Sequence, residues 1–305
     1  MRTLFLYAAL VLIWGSTWVA ITYQLGEVAP EMSIAYRFGA ASLLLFVYAL
    51  LTGRSLALPT DRYYMVVVQG IFLFSGNYFL VYYASELITS GLIAVVFSLI
   101  VLANGAFERI FFGTPLEMRL VVAAGFGMVG IGLIFWPEIS VLSLADQSVA
   151  GLLLAAASVV LASLGNMAAI SNMGRATGLV ALNAHAMAWG ALFALMLGLG
   201  LGRPVNFSFQ ADYIASLVFL AVFGSAVAFA CLLALIRTIG AARTGYASVL
   251  FPIVALTWST WLEDYQWTTL AIAGIACAMV GNWLALTRLP QRSLDNDKTG
   301  DTSDG

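Results

Sequence analysis

The residues of this chain that could do chemistry are few, and they interrupt long apolar runs. Ser75, Tyr78, Tyr82 and Glu86 recur at the spacing that shares one helix face, with Asn77 and Tyr83 beside them. A row of hydroxyls below an acidic residue suits the passage of a solute with a cation and an apolar part. The same tyrosines at a membrane surface would be interfacial anchors, whereas Asn77 lies deeper in its run. Arg37 is the one arginine inside an apolar run. A charge in that setting is costly in lipid and marks a functional site by default. It either binds a solute carboxylate or serves as an anchor, snorkelling outward or pairing with Glu27, Glu31 or Glu86. His185, the single histidine, has Trp189 one turn on. It could bond a solute or carry a proton, or simply pack.

The first run contains "IWGSTW" at residues 13–18. Tyr7, Val11, Trp14 and Trp18 form one stripe, with Ser16 and Thr17 beside it. Trp14 and Thr17 read either as cavity lining or as a close helix contact, because small and hydroxylated residues let backbones approach. Trp18 falls nearer an interface. Two further runs carry matching rows of small residues: Ser90, Ala94, Ser98, Val101 and Gly105, then Thr244, Ser248, Pro252, Ala255 and Ser259. Such a face packs tightly or leaves a void. Pro252 also frees a backbone carbonyl one turn earlier. Asn166 and Trp258 complete the candidates, one as a polar lining group and the other as an aromatic wall.

These groups do not make an enzyme. Acid–base or metal chemistry needs clustered His, Asp or Glu near one another, and here the acids are scattered around one histidine. No metal site or cofactor is expected, and no GxxxxGK[ST] phosphate loop occurs. A formal net charge of −2 offers no basic footprint for nucleic acid. Cys231 and Cys277 lie in apolar runs as small hydrophobes.

The elements that position these groups follow from composition. Of 305 residues, 62% are hydrophobic and 9% charged, against about 25% charged in soluble domains. The solvent for most of the chain is therefore lipid. Breaks at charges, Pro and Gly delimit ten runs of the roughly 20 residues that a spanning helix needs. Their approximate limits are 4–23, 32–52, 63–84, 88–111, 118–136, 150–171, 179–201, 213–236, 244–262 and 267–287. The first run is too long for a signal-peptide core and lacks an A-x-A-type cleavage site, so it is expected to be retained. With the N-terminus in the cytoplasm, eleven Lys and Arg fall inside, Arg203 alone falls outside and Arg37 lies within a span. Both termini are accordingly expected in the cytoplasm.

The chain also resembles itself. "GLIAVVFS" at 91–98 answers "GYASVLFP" at 245–252, and "GMVG" at 127–130 answers "AMVG" at 278–281. Five spans is an odd number, so the second copy would enter the membrane from the opposite side, an inverted-topology repeat of the kind transporters use. The expected architecture is an all-α membrane protein of ten transmembrane helices in two inverted five-helix repeats. These cover 1–140 and 148–288, followed by a disordered cytoplasmic tail, 289–305. Asn166 then matches Thr17, Tyr36 matches His185, and Ala186 stands opposite Arg37. Small-xxx-small pairs, Ala123/Gly127 and Gly274/Ala278, would pack on each other or across a homodimer.

With "WGSTW" in the first span, "YRFGAASLLL" in the second and Glu108 closing the fourth, residues 4 to 287 resemble the EamA group of the drug/metabolite transporter superfamily. The resemblance implies export of small metabolites such as amino acids through a central cavity between the halves, in an inner (plasma) membrane. The chain departs from that pattern in carrying Ser98 where the group usually has a proline. The expected partners are a small organic solute and the lipid bilayer. The competing reading is a membrane-embedded protein that does not transport, either a lipid-modifying enzyme or a scaffold.

Overall fold

The computed structural model describes residues 1–286, apart from 89–92, 94, 95, 98, 116, 135, 137–139, 141–147, 174–177 and 263–266. It also leaves the side chains at 18, 19, 173, 242, 252, 255, 256, 259–262, 282, 285 and 286 undescribed. Among the described residues the regular structure is entirely helical. α1 spans Arg2–Thr22 and α2 Pro30–Leu51. α3 (Tyr63–Ile71) passes through a π-helical stretch, Phe72–Gly76, into α4 (Asn77–Ser85). There follow α5 (Ile100–Phe112), α6 (Met118–Ile134), α7 (Ser148–Met173) and α8 (Leu179–Gly200). α9 (Ala211–Ala221) runs through a second π-helical stretch, Val222–Val227, into α10 (Ala228–Ile239). The last are α11 (Ala241–Gly245), α12 (Ala247–Leu262) and α13 (Thr269–Leu286).

Six of these helical rods are long and apolar enough to cross a bilayer, and two shorter apolar helices accompany them. The chain is a multi-pass membrane protein. Where local sequence sets the ends, the reasons are ordinary. α2 starts with Pro30 at its first turn, whose missing N–H costs nothing there. Gly240 takes φ +85 between α10 and α11, a conformation that side chains with a Cβ resist.

Helix packing is set by small residues. α2 lies antiparallel on α8: Gly198 meets Met32 and Glu31 at one end, Gly39 faces Ala191, and Ser42 Oγ donates to the Ala184 carbonyl at 2.7 Å. α6 lies antiparallel on α13, with Gly130 and Gly274 crossing so closely that a methyl group on either would meet the other's carbonyl oxygen at 2.6 or 2.4 Å. The two small-xxx-small faces expected from the sequence therefore pack on each other within one chain. α3–α4 packs on α7 through Gly165 against Leu73 and Gly151 against Leu87 and Ile88. α1 packs on α9–α10 and on α12, where Gly15 sits under Val254.

Candidate functional site

A cavity of about 80 Å³ lies where α1, α3–α4 and α5 meet α7, α10, α11 and α12. That is room for about three waters at liquid density. Trp14, Tyr78, Phe97, Phe229 and Phe251 supply an aromatic wall, and Thr17, Asn77, Asn104, Asn166, Thr244 and Ser248 the polar one. No residue lining it carries a formal charge.

The rings of the aromatic wall interlock. Trp14 meets Phe229 edge to face at 4.9 Å and Phe251 at 5.6 Å between ring centroids. Its indole N–H donates to the Gly224 carbonyl at 3.0 Å. Gly224 belongs to the second π-helical stretch. Such a stretch interrupts the i→i−4 ladder and so leaves backbone acceptors for side chains. Each edge-to-face pair adds about 0.5–1.5 kcal/mol beyond burial.

The polar wall is an amide chain whose direction chemistry fixes. The Ala241 carbonyl can only accept, so Asn104 must turn Nδ2 toward it, at 3.3 Å. Asn104 Oδ1 then accepts from Ser163 Oγ at 2.7 Å and from Asn166 Nδ2 at 3.3 Å. Asn166 Oδ1 is left without a partner. Asn77 repeats the arrangement: Nδ2 donates to the Leu73 carbonyl at 3.5 Å, and Oδ1 is unpartnered. Both residues are almost fully buried, 4% and 3% exposed. A buried acceptor left unsatisfied costs about 1–3 kcal/mol, so these two oxygens are the positions in the wall where a donor is most favoured. Thr17, Thr244 and Ser248 instead donate to backbone carbonyls three or four residues earlier, at 2.7 Å each.

Arg37 is buried one residue behind this wall, 1% exposed. It does not snorkel, and among the described residues it has no carboxylate within ion-pair distance. Its Nε donates to Ser225 Oγ at 2.9 Å and its Nη2 to the Gly224 carbonyl at 3.4 Å, while Nη1 has no partner. Its guanidinium lies 4.6 Å from the centroid of the Tyr78 ring and 5.0 Å from that of Phe38. Glu31, one of its expected partners, is engaged elsewhere: it accepts from the Tyr83 hydroxyl at 2.9 Å and faces Arg203 at 3.7 Å. The Tyr83 hydroxyl also accepts from Arg203 at 2.9 Å, and this raises the Arg203 pKa further above its ordinary value.

The structure thus brings together Trp14, Thr17, Asn77, Tyr78 and Asn166 from the sequence candidates, with Arg37 adjoining. Others lie apart. Tyr82 is fully buried and donates to Gln24 Oε1 at 2.8 Å, outside the cavity. His185 Nδ1 bonds the Tyr63 hydroxyl at 3.0 Å, and Trp189 Nε1 donates to that hydroxyl at 3.2 Å. These three form their own cluster between α3 and α8. Trp258 is half exposed, donates to Ser16 Oγ at 2.8 Å and borders an open groove of about 430 Å³. Ser90, Ala94 and Ser98, and the side chains of Pro252, Ala255 and Ser259, lie outside the described residues. Sequence reasoning did not single out Asn104; the signal for it is a lone amide among small and apolar residues in "LIVLANGAF".

Away from the cavity, Glu108 has a structural duty. Its Oε1 accepts from the Ala241 amide at 2.8 Å, satisfying a backbone donor at the start of α11. Close by, Arg243 pairs with Glu117 at 2.8 Å, and the Tyr246 hydroxyl donates to the Leu120 carbonyl.

Comparison with known proteins gives this arrangement a family. Residues 1–136 match the model of the EamA-like transporter family. The uncharacterized inner membrane transporter YedA of Escherichia coli (strain K12) is 30% identical over 292 residues, spanning 89% of this chain and 88% of that one. Protein PagO of Salmonella typhimurium (strain LT2) is 21% identical over 297 residues, 96% of each chain. A solved crystal structure 20% identical in sequence has the same fold, with a TM-score of 0.77 over 93% of this chain and 96% of the other. With the family model matching residues 1–136 and a transporter 30% identical over nearly nine tenths of both chains, the chain belongs to the EamA-like transporter family.

Proposed function

We propose that this protein is a secondary transporter, an exporter of small organic metabolites such as amino acids, working by alternating access between two inverted five-helix repeats. The repeats comprise residues 1–140 and 148–288, in an inner membrane with both termini cytoplasmic. The observation that carries this reading is the buried cavity with two unpartnered amide oxygens, Asn77 Oδ1 and Asn166 Oδ1, one from each half.

The packing pattern supports the inverted repeat. If spans are paired five apart, α2 with α8 and α6 with α13 are self-matching contacts. The contact of α3–α4 with α7 then answers that of α9–α10 with α1, and α5 with α7 answers α12 with α1. The two π-helical stretches, Phe72–Gly76 and Val222–Val227, also fall about 150 residues apart, each midway along its span. A two-fold relation of this kind lets the halves exchange conformations around a fixed central site. The solute site comprises Trp14, Thr17, Asn77, Tyr78 and Asn166, together with Asn104.

The test is flux through the full chain reconstituted in lipid vesicles. Vesicles loaded with a broad mixture of amino acids and related metabolites should release a subset faster than empty-membrane controls, and Asn166→Leu should abolish the difference. No release of any component would overturn the reading.

A further inference from the structure

The guanidinium of Arg37 is an intramembrane positive charge with no anionic partner among the described residues, and the cavity wall beside it contains no carboxylate. Its neighbours are Tyr78, Tyr82, Phe38, Ser225 and a backbone carbonyl, all neutral. A buried charge is retained when something compensates it, and neutral dipoles do so only in part. By hydrogen-bond geometry one amino group, Nη1, still lacks an acceptor. The charge stands behind Tyr78, itself part of the wall, and away from bulk water its field in the cavity is screened less than at a protein surface.

We infer that Arg37 sets the charge selectivity of the central site: the cavity takes solutes that carry a carboxylate on an apolar body and rejects organic cations. This rests on the transport reading above and names the solute class of the same site. An aromatic box alone would suggest the opposite preference, since ring faces attract cations. Here the Tyr78 face is already covered by the guanidinium at 4.6 Å, so an incoming cation meets a like charge where it would otherwise find a π cloud. The acceptors Asn77 Oδ1 and Asn166 Oδ1 complete the recognition by taking N–H donors of the solute, so a zwitterion satisfies both ends and a bare amine only one.

The repeat is asymmetric at this point. Ser75 and Ser225 occupy corresponding places in the two π-helical stretches. Ser225 receives the Arg37 side chain, whereas Ser75 Oγ is buried and unpartnered. Ala186 stands where a second arginine would recur. Among the described residues beside the cavity, the field is therefore one-sided and comes from α2.

The experiment compares ligands matched except for the carboxylate. Purified full-length protein in lipid nanodiscs is titrated with the twenty L-α-amino acids and their twenty amides, read by thermal shift, and the same pairs compete in vesicle counterflow. Wild type should bind at least one acid about 100-fold more tightly than its amide. Arg37→Gln should reduce that ratio at least tenfold and admit the amide, while Arg37→Lys, which keeps the charge, should retain most of it. Each variant must elute as a monodisperse peak; Arg37→Lys remains informative if Arg37→Gln does not fold. Equal binding of acid and amide by wild type, an unchanged ratio in Arg37→Gln, or binding by no acid overturns the inference. Counterflow of amides or other cations under those outcomes would leave the transport reading standing, whereas absence of all flux would remove both.

Discussion

Asn166 reaches Asn104 across the interface of α7 and α5, Nδ2 to Oδ1 at 3.3 Å, and that contact decides which way Asn166 faces the cavity. Because Asn104 is itself oriented by the Ala241 carbonyl, the amide chain runs from α11 through α5 to α7 with one possible polarity. The site's free acceptor is thus fixed by a backbone carbonyl two residues away in the network.

Removing Asn104 should therefore do more than remove one wall group. Asn104→Leu strands the Ala241 carbonyl and frees Asn166 to turn over, at about 1–3 kcal/mol for each buried group left unpaired. Flux in vesicles should fall at least as far as in Asn166→Leu, and thermal melting in nanodiscs should fall further. Equal melting of the two variants would contradict the network.

Asn77→Leu and Asn166→Leu should insert normally and fail in transport. The helices in which they sit are apolar enough to span without them, and leucine is welcome in lipid. Membrane yield near wild type with flux down about tenfold or more is the expected pair of results, the latter corresponding to about 1.4 kcal/mol. Unaltered flux in both would remove these oxygens from the site.

His185 is expected to be dispensable for flux. It contacts Tyr63 and packs edge to face on Phe46 at 5.1 Å, away from the cavity. His185→Phe should leave transport within about twofold, a change of under 0.5 kcal/mol in the barrier. A large loss would mean that the α3–α8 cluster carries solute or protons after all.

Gly130 and Gly274 tolerate no Cβ without backbone movement. Gly130→Ala or Gly274→Ala should destabilise the α6–α13 pair by about 1–3 kcal/mol, as overpacking does. Melting of the purified variants should drop while a control, Gly132→Ala, whose added methyl meets open space, should not.

Glu108→Ala should cost about 1 kcal/mol through loss of the cap on α11. Glu108→Gln, which can still accept from the Ala241 amide, should recover most of it. Flux that tracked the carboxylate charge and not the hydrogen bond would reassign Glu108 from structure to transport.

The sequence by itself determined the class of this protein, because apolar run length is a local property and lipid admits few alternatives to a helix. It also marked two faces for close packing, Ala123/Gly127 and Gly274/Ala278, but only the fold showed that they meet within one chain, with Gly130 against Gly274. The polar candidates were legible only as types. Asn77, Asn166, His185 and Tyr82 look alike in a one-dimensional reading, each a polar group in an apolar run. Tertiary structure separated them, turning Asn77 and Asn166 toward a common cavity and pairing His185 with Tyr63 and Tyr82 with Gln24. It also supplied what no spacing rule contains. Arg37 on α2 and Gly224 on a helical stretch 187 residues later share a contact, and Asn104 acquires its role from a carbonyl 137 residues away. Such pairings depend on how whole helices cross, and that is settled by packing summed over the bundle.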